Sequence, residues 1–336
     1  MTIPSHATAV RLARRPMGVP VTEDFEVASV PLARPGAGEV LVRNEYLSVD
    51  PYMRGRMIDA KSYVEPYPLG EVMSGGAVGT VVESDVSDLA VDDTVVHDHG
   101  WREYATVPAT EVQRVDTAVA PAAAYLGVLG LPGRTAYFGL FDAAAMRPGD
   151  TVFISGAAGA VGSLAGQFAR LRGARRVIGS AGSAEKVAYL HEELGFDAAF
   201  DYRDGSVREQ LRAAAPDGID VYFDNVGGEH LRAAIAAIQP FGRIALCGAI
   251  SGYNETRPQP GPDNLVLAVG KRLNLRGFVV YDFAERTTEF EAQVARWVLD
   301  DEVRLRETVA VGIHNATTAF LGLFEGANTG KMLVRL

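Results

Sequence analysis

Cysteine is almost missing from this chain: Cys247 is the only one in 336 residues. A lone thiol excludes an internal disulfide framework and a cysteine-rich structural zinc site, and it points to a reducing compartment, the cytoplasm. Histidine is scarce too, with six residues, of which His97 and His99 form the one close pair. The run His97-Asp98-His99 reads as a solvated loop rather than a ligand cluster, so no metal is expected. Lysine and arginine (32) are outnumbered by aspartate and glutamate (42), giving a formal charge of −10 with no long basic run. Nucleic acid and anionic membrane are therefore poor partners. The longest apolar stretch, residues 118–131, is broken by Pro121 and too short to span a bilayer. Residues 1–10 hold no apolar leader core, so no secretory signal is expected. A nucleophile elbow and a Ser-His-Asp order are also missing, which argues against a hydrolase.

What is present is an ordinary globular composition, 48% hydrophobic and 22% charged, on a chain too long for one typical core. Two domains are expected. Up to about residue 125, short β segments alternate with Gly/Pro turns, the habit of a compact β-barrel. Examples are residues 39–44, 76–83, 93–97 and 102–107. From residue 151 to about 280, strands alternate with helices, at 152–155, 176–179, 198–201, 221–225, 243–247 and 275–279. Six such units with helical crossovers describe an α/β fold with a parallel sheet covered on both faces. The tail returns to β-like alternation at 308–312 and 332–336, which predicts that it closes the first domain.

The most informative stretch is Thr151-Val152-Phe153-Ile154-Ser155-Gly156-Ala157-Ala158-Gly159-Ala160-Val161-Gly162, a buried strand, a glycine turn and the start of a helix. Ala157, Gly159 and Gly162 stand where the dinucleotide fingerprint has glycines, the first replaced by alanine. Small residues let a pyrophosphate approach the backbone, and the helix end offers N–H groups and a positive dipole. A structural glycine turn or a methyltransferase-type site has the same look. After the second strand an NAD site would place a carboxylate on the ribose, about 20 residues on. Here Ser180-Ala181-Gly182-Ser183 supply none, and Lys186 follows, which suits the 2′-phosphate of NADP. Glu185 lies one turn into the next helix, and Lys186 could equally be an ordinary surface lysine.

Without a metal, an acceptor carbonyl needs another polarising group, and tyrosine hydroxyls are the candidates. Tyr253 lies just beyond the fifth strand, at the end of the sheet where ligands bind. Tyr52 and Tyr63 stand in the first domain and read as core or rim aromatics when taken alone. Asn225 follows the fourth strand and could bond the ribose or nicotinamide, or cap the next helix. Cys247 reads as a small buried residue rather than a nucleophile.

Several runs carry a family likeness: Leu47-Ser48-Val49-Asp50-Pro51-Tyr52-Met53-Arg54, Gly159-Ala160-Val161-Gly162-Ser163, Ala181-Gly182-Ser183-Ala184-Glu185-Lys186-Val187, Tyr222-Phe223-Asp224-Asn225-Val226-Gly227-Gly228 and Gly277-Phe278-Val279-Val280-Tyr281. With residues 241–251, they resemble the zinc-independent medium-chain dehydrogenase/reductases. Within these, the chain is similar to the leukotriene B4 12-hydroxydehydrogenase and prostaglandin reductase branch, which includes alkenal double-bond reductases and bacterial curcumin reductases.

The resemblance implies a GroES-like catalytic domain (residues 1–128, with 306–336 returning to it) and a Rossmann NADP-binding domain (129–305). It implies NADPH/NADP+ as cofactor, with Gly159, Ala160, Val161, Gly162 and Ser163 at the pyrophosphate and Gly182, Ser183, Lys186 and Tyr202 at the 2′-phosphate side. Asn225, Cys247, Gly248, Ala249, Ile250, Ser251, Tyr253, Phe278, Val279 and Val280 would line the nicotinamide half, and Asn328 would reach it from the tail. Tyr253 and Tyr63 match tyrosines near the substrate carbonyl, and Tyr52 is a third candidate. The implied reaction is NADPH-dependent reduction of the C=C bond of an α,β-unsaturated ketone or aldehyde. Hydride goes to the β-carbon, a tyrosine and the ribose hydroxyl hold the enolate, and a proton reaches the α-carbon. Quinone reduction on the same scaffold and a non-catalytic NADPH-binding protein are the alternatives. A homodimer is the family expectation.

Overall fold

The computed structural model describes residues 3–257 and 259–336. The chain forms two compact units, Met1–Leu126 with Glu307–Leu336, and Gly127–Arg306. Among the described residues no helix is long and apolar enough to cross a membrane.

In the first unit the strand Glu39–Ser48 is the axis. Its Val40, Leu41, Val42 and Leu47 are fully buried, as β-branched and aliphatic residues in a central strand are expected to be. It pairs antiparallel with Ala77–Ser84, with Tyr104–Pro108 and with the C-terminal strand Lys331–Arg335, which runs parallel to Glu307–Val311. The tail therefore completes a seven-stranded sheet begun almost 300 residues earlier. Under it lies a core built around Trp101, Phe320, Met53, Met57 and Tyr67.

That unit buries charge deliberately. Lys331, 4% exposed, donates from Nζ to Asp50 Oδ1 (2.9 Å) and to the carbonyls of Val49 (2.9 Å) and Met332 (3.1 Å). Asp50 also accepts from Ser48 Oγ. The His97-Asp98-His99 run departs from the solvated loop expected of it. His97 ends the strand Thr94–His97 and is buried. Its Nδ1 accepts the His99 N–H (3.0 Å), so Nε2 carries the proton given to Asn44 Oδ1 (2.9 Å). Burial, ahead of the nearby His99 and Arg102 charges, lowers the His97 pKa to about 3, keeping the ring neutral.

The second unit carries six parallel strands: Thr151–Ile154, Arg176–Ala181, Ala198–Asp201, Ile219–Asp224, Ile238–Leu246 and Asn274–Gly277. Numbered along the chain, they lie in the order 3-2-1-4-5-6. That is the Rossmann arrangement, and the direction of winding reverses between the first and fourth strands, where such sheets bind ligands. All four residues of the first strand are buried, which explains its unbroken apolar run. The fifth strand begins five residues before the segment 243–247 expected from the sequence. Pro240-Phe241-Gly242 is an irregularity inside the strand, with Phe241 at φ 65° and the register shifting against the fourth strand.

Candidate cofactor site

The turn after the first strand is shaped by Gly156, whose φ is +59°, and not by Ala157, the position aligned with the first fingerprint glycine. Ala157 is instead buried in the turn, where its N–H donates to Ser180 O of the second strand (2.9 Å). Gly162 serves close approach: a Cβ there would stand 2.4 Å from Gly156 O and 2.8 Å from Ala157 Cα. The helix Ala160–Leu171 thus lies hard against the turn. It starts at Gly159 with no side-chain cap and no acidic residue in its first turn. Its leading N–H groups and dipole are left for an anion. Ser163 is buried in that first turn and donates to its own helix, at Ala160 O (3.5 Å).

The exit of the second strand gathers cations. Ser183 caps the helix Ala184–Glu192, its Oγ accepting the Lys186 N–H (3.3 Å). Tyr202, at the exit of the third strand, lies over Gly182, where a Cβ would come within 3.0 Å of the ring and hydroxyl. Arg203 bonds Gly182 O (2.8 Å) and stands 5.6 Å from the Tyr202 ring centroid. Lys186 is half-buried, and burial, then the charge of Arg203, lowers its pKa. Two cations drawn together in this way suit a dianion. Glu185, the residue of opposite sign, is exposed. Arg203 was not anticipated from the sequence. The signal lay in strand order, since the third strand's exit adjoins the second's.

At the exits of the fourth and fifth strands the loops are laced together. Asn225 donates from Nδ2 to Ser155 O (2.8 Å), which ties it to the first strand's exit. It does not cap the next helix, Gly228–Ala237, whose cap position is Gly227. Cys247 and Gly248 N–H groups both reach Asp224 O (3.0 Å), Ile250 N–H reaches Asn225 O (3.3 Å), and Ser251 Oγ reaches Val226 O (2.6 Å). Burial and the Asp224 charge push the Cys247 thiol up to about 12, so it is not a nucleophile at neutral pH. The loop turns back so that the Tyr253 hydroxyl accepts the Ala249 N–H (3.4 Å), while a Cβ on Gly248 would lie 3.0 Å from that oxygen. Past the sixth strand, the Phe278 ring meets Phe223 edge-to-face, and Val279 and Val280 are half-buried.

The other three candidates belong to the first unit. Tyr52 packs partly buried against the core cluster, Tyr63 is 62% exposed, and Asn328 donates from Nδ2 to Gly330 O (2.7 Å) within its own turn. The uncapped helix end, packed against its glycine turn, and the cation pair at the second strand fit a phosphorylated dinucleotide.

Residues 8–115 match the family described as the N-terminal domain of oxidoreductase, and residues 160–299 match that of zinc-binding dehydrogenase. The chain is 42% identical over 330 residues to the NADPH-dependent curcumin reductase of Escherichia coli (strain K12), covering 97% of this chain and 95% of that protein. This chain belongs to the medium-chain dehydrogenase/reductases. Within that family it sides with the NADP-dependent curcumin, prostaglandin and alkenal reductases. It is 40% identical over 323 residues to the 2-alkenal reductase (NADP(+)-dependent) of Nicotiana tabacum, with 94% of each chain covered. The crystal structure of CurA in complex with NADPH from Vibrio vulnificus aligns at a TM-score of 0.92 and 41% identity, covering 98% of this chain and 99% of that one. One of the matched families is named for zinc. Among the described residues, no three His, Cys, Asp or Glu side chains stand together as a metal site would need.

Proposed function

We propose that this chain is an NADPH-dependent reductase that saturates the C=C bond of α,β-unsaturated ketones and aldehydes without a metal. The observation that carries the reading is the end-to-end likeness to curcumin and 2-alkenal reductases, joined to a cation pair suited to NADP. When bound, NADPH supplies the hydride for the β-carbon of the acceptor. Lys186, Tyr202 and Arg203 hold the 2′-phosphate side, with Gly182 and Ser183 beneath it. Backbone N–H groups of residues 160–162 would take the pyrophosphate, with Ser163 beside them in the same turn. Asn225, residues 247–253 and residues 278–280 would line the nicotinamide half.

Tyr253 is the chain's own group at the carbonyl. Its oxygen accepts the Ala249 N–H, which turns its proton away from that bond and toward an acceptor. A hydroxyl so placed donates to the substrate oxygen as negative charge gathers there, sharing the load with a ribose hydroxyl. The proton that completes the α-carbon comes from a tyrosine or water. Tyr63 and Tyr52 are further substrate-end candidates. A homodimer in the cytoplasm is the expected working form.

The test is an anaerobic panel of enals, enones and quinones with NADPH and with NADH, before and after chelator treatment. The expected outcome is loss of NADPH absorbance with enones, a saturated carbonyl product, and no effect of the chelator. Quinone-only turnover, chelator-sensitive turnover, or no turnover with any acceptor would each sink part of the reading.

A further inference from the structure

Asp224 ends the fourth strand and is 1% exposed. A carboxylate so buried must replace its water with other donors, and here the donors are neutral. Oδ1 collects the Tyr222 hydroxyl (2.6 Å), the Ser155 hydroxyl (3.3 Å) and the N–H groups of Val226 (3.0 Å) and Gly227 (2.7 Å). Ser155 in turn accepts the Asn225 N–H (3.0 Å). The carbonyl oxygen of Asp224 takes the N–H groups of Cys247 and Gly248. One residue therefore fastens the exits of the first, fourth and fifth strands to one another. None of these bonds reaches Lys186, Tyr202 or Arg203 at the exits of the second and third strands.

We propose that Asp224 is a positioning residue for the coenzyme. Its carboxylate sets the 225–228 turn, and with Ser155 and Tyr222 it holds Asn225 and the 247–253 loop in the shape that grips the nicotinamide half. The adenosine 2′-phosphate is held independently. This rests on the NADPH reading above. Only the oxygen's accepting power is needed, so an asparagine at this position keeps the shape, whereas an alanine removes every side-chain bond at once.

The test measures binding of two probes to the full chain by titration calorimetry: NADPH, and 2′-AMP, which carries the adenosine 2′-phosphate alone. Asp224→Ala is expected to weaken NADPH by about tenfold or more, the loss of more than one buried bond, with 2′-AMP unchanged. Asp224→Asn should restore NADPH binding. Tyr222→Phe, which removes one donor and no charge, should weaken NADPH alone and serves if the alanine variant does not fold. Unchanged NADPH affinity in the alanine variant or, if that variant does not fold, in Tyr222→Phe would overturn the proposal, as would equal loss of both probes. If the parent chain bound neither probe, the coenzyme reading itself would fall.

Discussion

Two buried carboxylates, Asp50 in the first unit and Asp224 in the second, are neutralised in opposite ways. In the first, Asp50 is met by a full cation, Lys331, and the pair clips the tail to the segment that leads into Tyr52. In the second, Asp224 has only hydroxyl and N–H donors, one from its own strand and the others from the turns after the first and fourth strands. An ion pair holds two points of chain against each other and little else. A carboxylate served by several weak donors shapes every loop that supplies one. Charge neutralised by charge belongs to architecture here, and charge neutralised by dipoles belongs to the site.

The sharpest way to break this comparison is Lys331→Met, which leaves Asp50 buried and unpaired. Removing one partner of a buried pair costs about 3–5 kcal/mol. A denaturant titration should show that loss, and Lys331→Met with Asp50→Asn should recover much of it. A double variant no better than the single would mean that the pair's charge is not what matters. Next in size is Tyr253→Phe. A well-placed donor is worth about 3–4 kcal/mol at the transition state, so kcat should fall by about a hundredfold to a thousandfold, less if the ribose shares the load. Its midpoint of unfolding should barely move, because the residue stands at a loop and not in the core. An unchanged rate would remove Tyr253 from the chemistry. The smallest effect is expected from Lys186→Ala, with Arg203 still in place. NADPH should weaken by about tenfold and NADH hardly at all, and equal loss for both would contradict the 2′-phosphate role.

Much of the sheet was legible because its signals are local. An apolar run, a glycine turn and a polar helix face recur within a dozen residues, and six such units are enough to announce a doubly wound sheet. The strand at 198–201 falls where the alternation predicts it. Where an element is irregular, reading fell short: the fifth strand starts at Ile238 and not at 243, and the irregularity at residues 240–242 shifts its register against the fourth strand. His97 was misread for a related reason. An aspartate and a second histidine follow it, whereas its side-chain partner Asn44 stands 53 positions away.

The order of residues by itself determined the fold class, the strand–glycine–helix unit at 151–171 and the family, since each depends on contacts a few residues apart or on long runs of matching residues. Tertiary structure alone decided that Gly156 makes the turn, that Arg203 joins Lys186, that Ser155 answers to Asp224 across 69 positions and Lys331 to Asp50 across 281. A hydrogen bond or ion pair acts over about 3 Å, and nothing short of the folded chain says which distant residues come that close.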